Sequence, residues 1–147
     1  MSEKHVNIQN TRSDDQFEYY KAIADDDVCP FCTESLKKYL KQPIISEGDY
    51  WLVTPNRWPY EHTSAHYLLI ARQHIETVTV LPSGAFEELG DHVKQLVTDN
   101  NLDYGGISMR FGDVRYTGAT VNHLHAHLLQ AAKDIPEDAK VKFKFSG

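Results

Sequence analysis

The chain has 147 residues, 41% of them hydrophobic, which suits one globular domain with a single core and is short for two. A formal net charge of −6 and a pI near 5.7 exclude bulk electrostatic binding of nucleic acid, which needs a basic surface, and leave room for a small anionic ligand held by local donors. No stretch is long enough to span a bilayer, Met1-Ser2-Glu3-Lys4-His5 lacks the apolar run of a signal peptide, and both cysteines fall in one Cys-x-x-Cys, so the expectation is a cytoplasmic protein without a structural crosslink.

Residues 1–12 are polar and aperiodic, and are expected to form a flexible arm ahead of a single domain over 13–147. Ser13-Asp14-Asp15-Gln16 reads as a capping box. With Phe17, Tyr20 and Ala24 at helical spacing it predicts a helix over about 14–24, ended by Asp25-Asp26-Asp27. Thr33 is placed to cap a second short helix carrying Leu36, Tyr39 and Leu40, which Pro43 would stop. Ile44-Ile45-Ser46 and Tyr50-Trp51-Leu52-Val53, on either side of Glu47-Gly48-Asp49, suggest a hairpin.

After a loop from Pro55 to Ala65, His66-Tyr67-Leu68-Leu69-Ile70-Ala71 is β-prone and too apolar for an exposed edge, so a central strand is expected. Ser83 opens the most regular helix, with Phe86, Leu89, Val93, Leu96 and Val97 on one stripe and Asn100-Asn101 at its end. Ile107 to Phe111 and His123 to Gln130 read as neighbouring strands. Val141, Phe143 and Phe145 alternate with Lys142 and Lys144 like a half-buried strand. The sum is an α+β domain: a mainly antiparallel sheet of about five strands with its helices packed on one side.

The most informative stretch is Thr120-Val121-Asn122-His123-Leu124-His125-Ala126-His127-Leu128-Leu129. In a strand, alternate side chains share a face, so His123, His125 and His127 line one surface while Leu124, Ala126 and Leu128 enter a core. Three imidazoles in a row each need a partner, and any two protonated together repel, so a structural role explains them poorly. Cys29-Pro30-Phe31-Cys32 offers thiolates at a spacing common in tetrahedral zinc sites, with His62, His66, His74, His92 and the triad as further candidate ligands. A redox pair is the rival, although no thioredoxin-like βαβ context surrounds it.

The pattern His, apolar, His, apolar, His, apolar, apolar over residues 123–129 resembles the motif of the histidine triad family. Asn56-Arg57-Trp58-Pro59-Tyr60 is similar to a loop of triad proteins related to diadenosine tetraphosphate phosphorylases. His66 to His74 resembles that group's His-apolar-basic-x-His strand, and the cysteine pair that of its zinc-containing branch. The segment between Tyr60 and His66 is longer than the family pattern.

The resemblance implies an HIT-like fold and a nucleotide-binding hydrolase or transferase. Such an enzyme cleaves a nucleoside-monophosphate linkage, in a dinucleoside polyphosphate or an adenylated small molecule, through a covalent nucleotidyl-histidine. It implies His125 as nucleophile, His127 on phosphate oxygens or the leaving group, and structural zinc on Cys29, Cys32, His74 and His123. It also implies a homodimer. Gly118-Ala119-Thr120 corresponds to the family's Gly-x-Ser segment, where Thr120 would donate to phosphate and Gly118 would admit close approach. Asn56 stands where the family binds ribose hydroxyls, an Asx turn being the alternative. Arg110 and Arg115 are candidate partners of further phosphates, and Trp58 and Tyr60 candidate walls of a base pocket. Two other readings stay open: a zinc hydrolase using His-x-His as metal ligands, and a nucleotide-binding module without turnover.

Overall fold

In the computed structural model, which describes residues 5–147, the β-branched and aromatic runs pair as one antiparallel sheet. Its strands are β1 (Ser46–Glu47), β2 (Trp51–Pro55), β3 (Thr63–Ala71), β4 (Gly106–Met109) and β5 (His125–Ala131), in the order β1-β2-β3-β5-β4. The expected α+β class and five-stranded sheet are therefore what the chain forms. β3 is central, as its apolar run requires, and pairs with β2 on one side and β5 on the other.

Side-chain alternation divides two cores between the sheet's faces. Trp51, Val53, Leu69, Leu124, Ala126 and Leu128 pack against Leu96, Leu89, Val93 and Val97 of α3 (Ser83–Asp99). On the opposite face Leu52 and Ile70 meet Tyr20, Ile23 and Ala24 of α1 (Asp14–Asp25) and Leu36 of α2 (Thr33–Tyr39). The helices are thus split between the faces rather than gathered on one, because both faces of β2 and β3 are apolar. Burying each such side chain contributes roughly 1.5–3 kcal/mol, against at most about 1 for an exposed ion pair, so these cores fix where β5 lies. Phe86, expected on the α3 stripe, instead stands half exposed.

The helix starts follow their caps. The Ser13 hydroxyl accepts the Gln16 amide at 3.1 Å, and Gln16 Oε1 accepts the Arg12 amide at 2.7 Å, one residue earlier than a reciprocal capping box would place it. α2 starts at Thr33, but its capping position is Cys32, without a side-chain cap. At the head of α3, Glu88 reaches back to the amides of Asp49 (2.7 Å) and Trp51 (2.9 Å) and holds the β1–β2 turn.

Two further expectations do not hold. Of the arm, residues 1–4 lie outside the described residues, but Val6 and Ile8 are buried, Val6 bridges Val121, and the Asn7 amide donates to the Thr120 carbonyl at 2.7 Å. This segment is not loose: its few apolar side chains close the core beside the triad, and Asn10 Nδ2 donates to the carbonyls of Val114 (3.0 Å) and Ala119 (2.8 Å). The stretch from Val141 to Phe145 forms no strand. It crosses the sheet's face, where the Arg110 Nε–H donates to the Lys144 carbonyl at 2.6 Å and Phe143 packs against His127.

Candidate active site and metal centre

Register places the histidines. Across the β3–β5 ladder Ile70 opposes His125, Leu68 opposes His127 and His66 opposes Leu129, all on the α1 face. His66 thereby comes within reach of His127. His123 sits just ahead of β5, where the chain enters the strand, so its ring meets the cysteine turn instead of continuing the row.

Hydrogen bonds fix the tautomers, since a carbonyl can only accept and an amide N–H can only donate. His125 Nδ1 lies 2.7 Å from the His123 carbonyl and must carry the proton, which leaves Nε2 bare. His66 Nδ1 accepts the Tyr60 amide at 3.1 Å, so its Nε2 carries the proton, 2.8 Å from His127 Nδ1. His127 Nδ1 therefore accepts, and its protonated Nε2 is buried without a protein partner among the described residues. A bare imidazole nitrogen and an unpaired N–H thus stand on rings 5.1 Å apart.

Burial keeps these rings neutral. It pushes His125 down to about 4 and His66 to about 3, and holds His127 well below its ordinary value; the neighbouring imidazoles and the charge on Arg110 act in the same direction at His66 and His127. Phe31 stacks edge-on against His125 at 5.1 Å and supplies much of that dry surround.

Beside the row, Cys29, Cys32, His74 and His123 gather four ligand atoms within 4.8 Å of one another. His123 Nε2–H donates to the Ala71 carbonyl at 2.5 Å and His74 Nε2–H faces Glu76 at 3.0 Å, so both Nδ1 atoms are bare and point at the thiols. The Nδ1 atoms are 3.3 Å apart, and the sulfur–nitrogen separations are 3.3, 3.3 and 3.8 Å. Tetrahedral zinc with ordinary bond lengths requires roughly 3.3–3.8 Å between ligands, so the donor set and spacing fit that ion. Glu76 also accepts Asn122 Nδ2 at 2.7 Å, an outer partner of the kind that orients ligating histidines. Burial raises the Cys29 thiol to about 12, so binding there requires the ion's own charge to displace the proton.

A narrow cavity of about 70 Å³ lies over the triad, lined among others by Asn56, Arg110, Gly118, Thr120, His125 and His127. These six, together with Tyr60, are the expected residues that the fold brings together. Thr120 spends its proton on the Asn10 carbonyl at 3.3 Å, leaving its oxygen lone pairs to the cavity. Gly118 (φ +84) ends α4 (Val114–Thr117), and a Cβ there would stand 2.6 Å from the Ser146 carbonyl. Asn56 makes the Asx turn, its Oδ1 accepting the Trp58 amide at 2.8 Å, with Nδ2 beside His66 at 3.1 Å.

Two expected residues lie elsewhere. Arg115 pairs with Asp113 at 2.7 Å on the outer surface, because the carboxylate that caps α4 also accepts its guanidinium. Trp58 packs on Tyr19 and Tyr20 and donates Nε1–H to Asp15 at 2.8 Å, since the Asx turn swings it outward. Sequence reading missed Arg12, Lys142 and Lys144 as lining residues. The only signal was the Lys-Phe-Lys alternation at the C-terminal end, read as a strand. His-x-His does not converge on one ion: His123 faces the cysteines, while the Nδ1 atoms of His125 and His127 are engaged by a carbonyl and by His66.

Comparison with known proteins places these observations. Residues 41–134 match the HIT domain family. Among solved structures the chain is similar to an HIT family hydrolase from Clostridium thermocellum, at 24% identity over 71% of this chain and 91% of that one, with a TM-score of 0.52. It is also similar to a hypothetical histidine triad nucleotide-binding protein from Sulfolobus tokodaii (20%, covering 80% and 79%, TM-score 0.57). A zinc-bound histidine triad family protein from Mycobacterium smegmatis matches at 17%, covering 86% and 81%, with a TM-score of 0.50. Comparison with curated proteins finds no match. Among the described residues no helix is long and apolar enough to cross a membrane.

Proposed function

The chain belongs to the HIT domain family, and from that premise we propose that it is a nucleotide hydrolase or transferase working through a covalent nucleotidyl-His125. The observation that carries this reading is the hydrogen bond from His125 Nδ1 to the His123 carbonyl, which leaves a neutral ring with a bare Nε2 in the cavity. Nε2 attacks the α-phosphorus, the N–P bond forms as the bond to the leaving oxygen breaks, and water then takes the nucleotidyl group. The buried Nε2–H of His127, oriented by His66, donates to a phosphoryl oxygen as charge grows there. Thr120 and Asn56 add polar atoms to the same wall.

Zinc is proposed at Cys29, Cys32, His74 and His123, supported by the donor set and the match to tetrahedral spacing. Four protein ligands leave no open position, so the ion's contribution is structural. A homodimer is also proposed: β4 is an edge strand whose Ile107 is 55% exposed, and a second copy would cover both. Light scattering on a sizing column measures that state.

The deciding experiment is native mass spectrometry after brief mixing with diadenosine tetraphosphate, on wild type and His125→Ala. An AMP adduct on wild type alone is expected. Turnover by both proteins without an adduct would overturn the reading, and binding without turnover would favour a binding module.

A further inference from the structure

Arg12, Arg110, Lys142 and Lys144 all line the triad cavity, and among the described residues no carboxylate does. In a chain with 21 acidic and 15 basic residues, composition does not supply such a lining. The four cations come from three separate segments. Arg12 precedes α1, Arg110 follows β4, and the lysines belong to the extended C-terminal stretch.

Neither arginine pairs with a carboxylate among the described residues. Arg12 Nη2–H donates to the Trp58 carbonyl at 2.6 Å and its guanidinium lies 4.5 Å from the Tyr60 ring centre. Arg110 donates to the Lys144 carbonyl and lies 3.9 Å from the Phe143 ring centre. Carbonyls and rings position these cations but do not neutralise them, so their mutual repulsion stands until an anion enters. A single scissile phosphate, already facing the His127 donor, does not use four cations.

A second cavity of about 460 Å³ adjoins the first and shares Arg12, Tyr60 and Lys142 with it. Pro59 and Tyr60 give it an apolar wall, and Glu61 and Asp138 put carboxylates on its rim. Arg12 and Lys142 therefore stand where a chain running from the triad cavity into this second one would meet them.

We propose that Arg12, Arg110, Lys142 and Lys144 form a collar that reads a polyphosphate chain beyond the scissile phosphate, so that the leaving group is itself polyphosphorylated. This rests on the proposed function. Arg110 lies inside the stretch 41–134 that matches the family, and Arg12, Lys142 and Lys144 lie outside it. In the transfer step the His125 Nε2–P bond forms, the P–O bond to the chain breaks, and the chain departs as an anion whose charge the collar holds; water is the only co-reactant.

The test is calorimetric titration of AMP, ATP and diadenosine tetraphosphate into wild type, Arg12→Gln and the double variant Lys142→Gln/Lys144→Gln, with melting curves to establish that each variant is folded. Wild type is expected to bind ATP and diadenosine tetraphosphate at least about tenfold tighter than AMP, with a steeper salt dependence, and both variants to lose most of that preference. Tighter binding of diadenosine tetraphosphate than ATP puts a second nucleoside in the outer cavity, whereas equal binding makes the phosphate chain alone the ligand. Equal affinity of wild type for AMP and ATP, or a preference that survives in both variants, would overturn the collar. A wild type that shows the preference but forms no adduct and no product would keep the collar and overturn the proposed reaction.

Discussion

The His123 carbonyl accepts the Nδ1–H of His125 at 2.7 Å, while the ring of His123 turns its own Nδ1 toward Cys29 at 3.3 Å. One residue therefore touches the candidate metal centre with its side chain and the candidate nucleophile with its backbone. The candidate metal centre and the candidate nucleophile are separate sites joined through a single peptide unit.

Metal removal should accordingly cost stability first. Purified protein is expected to carry stoichiometric zinc by elemental analysis, and Cys29→Ser to lose it. Stripping the ion should lower the Tm by ~10 °C, since structural zinc contributes several kcal/mol and each 1 kcal/mol moves the Tm of a chain this size by a few degrees. An unchanged Tm after complete chelation would remove the ion from the fold's support.

Acid should destabilise the protein through His66. His66 is 5% exposed, and its pKa is pushed down to about 3 by burial first, then by the charge on Arg12, the neighbouring His125 imidazole and the charge on Arg110. The unfolded chain, with His66 near 6.5, binds more protons than the folded one between pH 6.5 and about 3, so unfolding free energy rises with pH across that window and is flat above it. Relative to wild type, His66→Gln should retain about 2–3 kcal/mol more of its own pH 7 stability at pH 4 in urea titrations. Parallel losses in the two proteins would refute this assignment.

The two arginines expected from sequence to bind phosphate should separate. Arg110→Gln is expected to lower kcat/KM by about 10–100-fold, the cost of a charged hydrogen-bond donor lost from a phosphate site. Arg115→Gln, which removes only an exposed pair with Asp113, should stay within about twofold in the same assay.

Phe143 is expected to restrict entry. Its ring centre is 5.0 Å from that of His127, and the cavity beneath offers about 70 Å³, whereas ligand sites usually run to roughly 300–1,000 Å³. Phe143→Ala should raise the association rate for nucleotides in stopped-flow measurements by several-fold, with a smaller effect on the adduct-forming step. A slower association would make the ring part of the bound site instead.

Local periodicity made the triad, α3 and the central strand legible, because each follows from which residues recur every second or every third and fourth position. The cysteine pair was readable as a candidate metal site from donor chemistry at a familiar spacing, whereas His74 entered only through the family resemblance. What escaped depends on contacts far apart in the chain. Nothing near Val6 and Asn10 indicates that Val121 and Ala119, more than a hundred residues on, supply their partners. The Lys-Phe-Lys alternation says only that alternate side chains point the same way, which any extended chain satisfies. Whether it pairs at an edge or crosses a face is decided by Arg110 and His127, outside the segment. Trp58 and Arg115 were misplaced because a turn residue's direction depends on backbone geometry that composition does not encode.

The alternation along β5 also sets where the protein can change length. His125 and His127 face the cavity while Ala126 and Leu128 face α3, so inserting or deleting one residue between them would turn the side chains beyond it to the opposite face, setting His127 against α3 and Leu128 at the cavity. Near Thr63 the β3 ladder already absorbs a register shift beside the turn at His62, whose φ is +67°. Chains of this design can therefore lengthen or shorten at that turn and not within β5, and the longer segment between Tyr60 and His66 falls at the tolerant position.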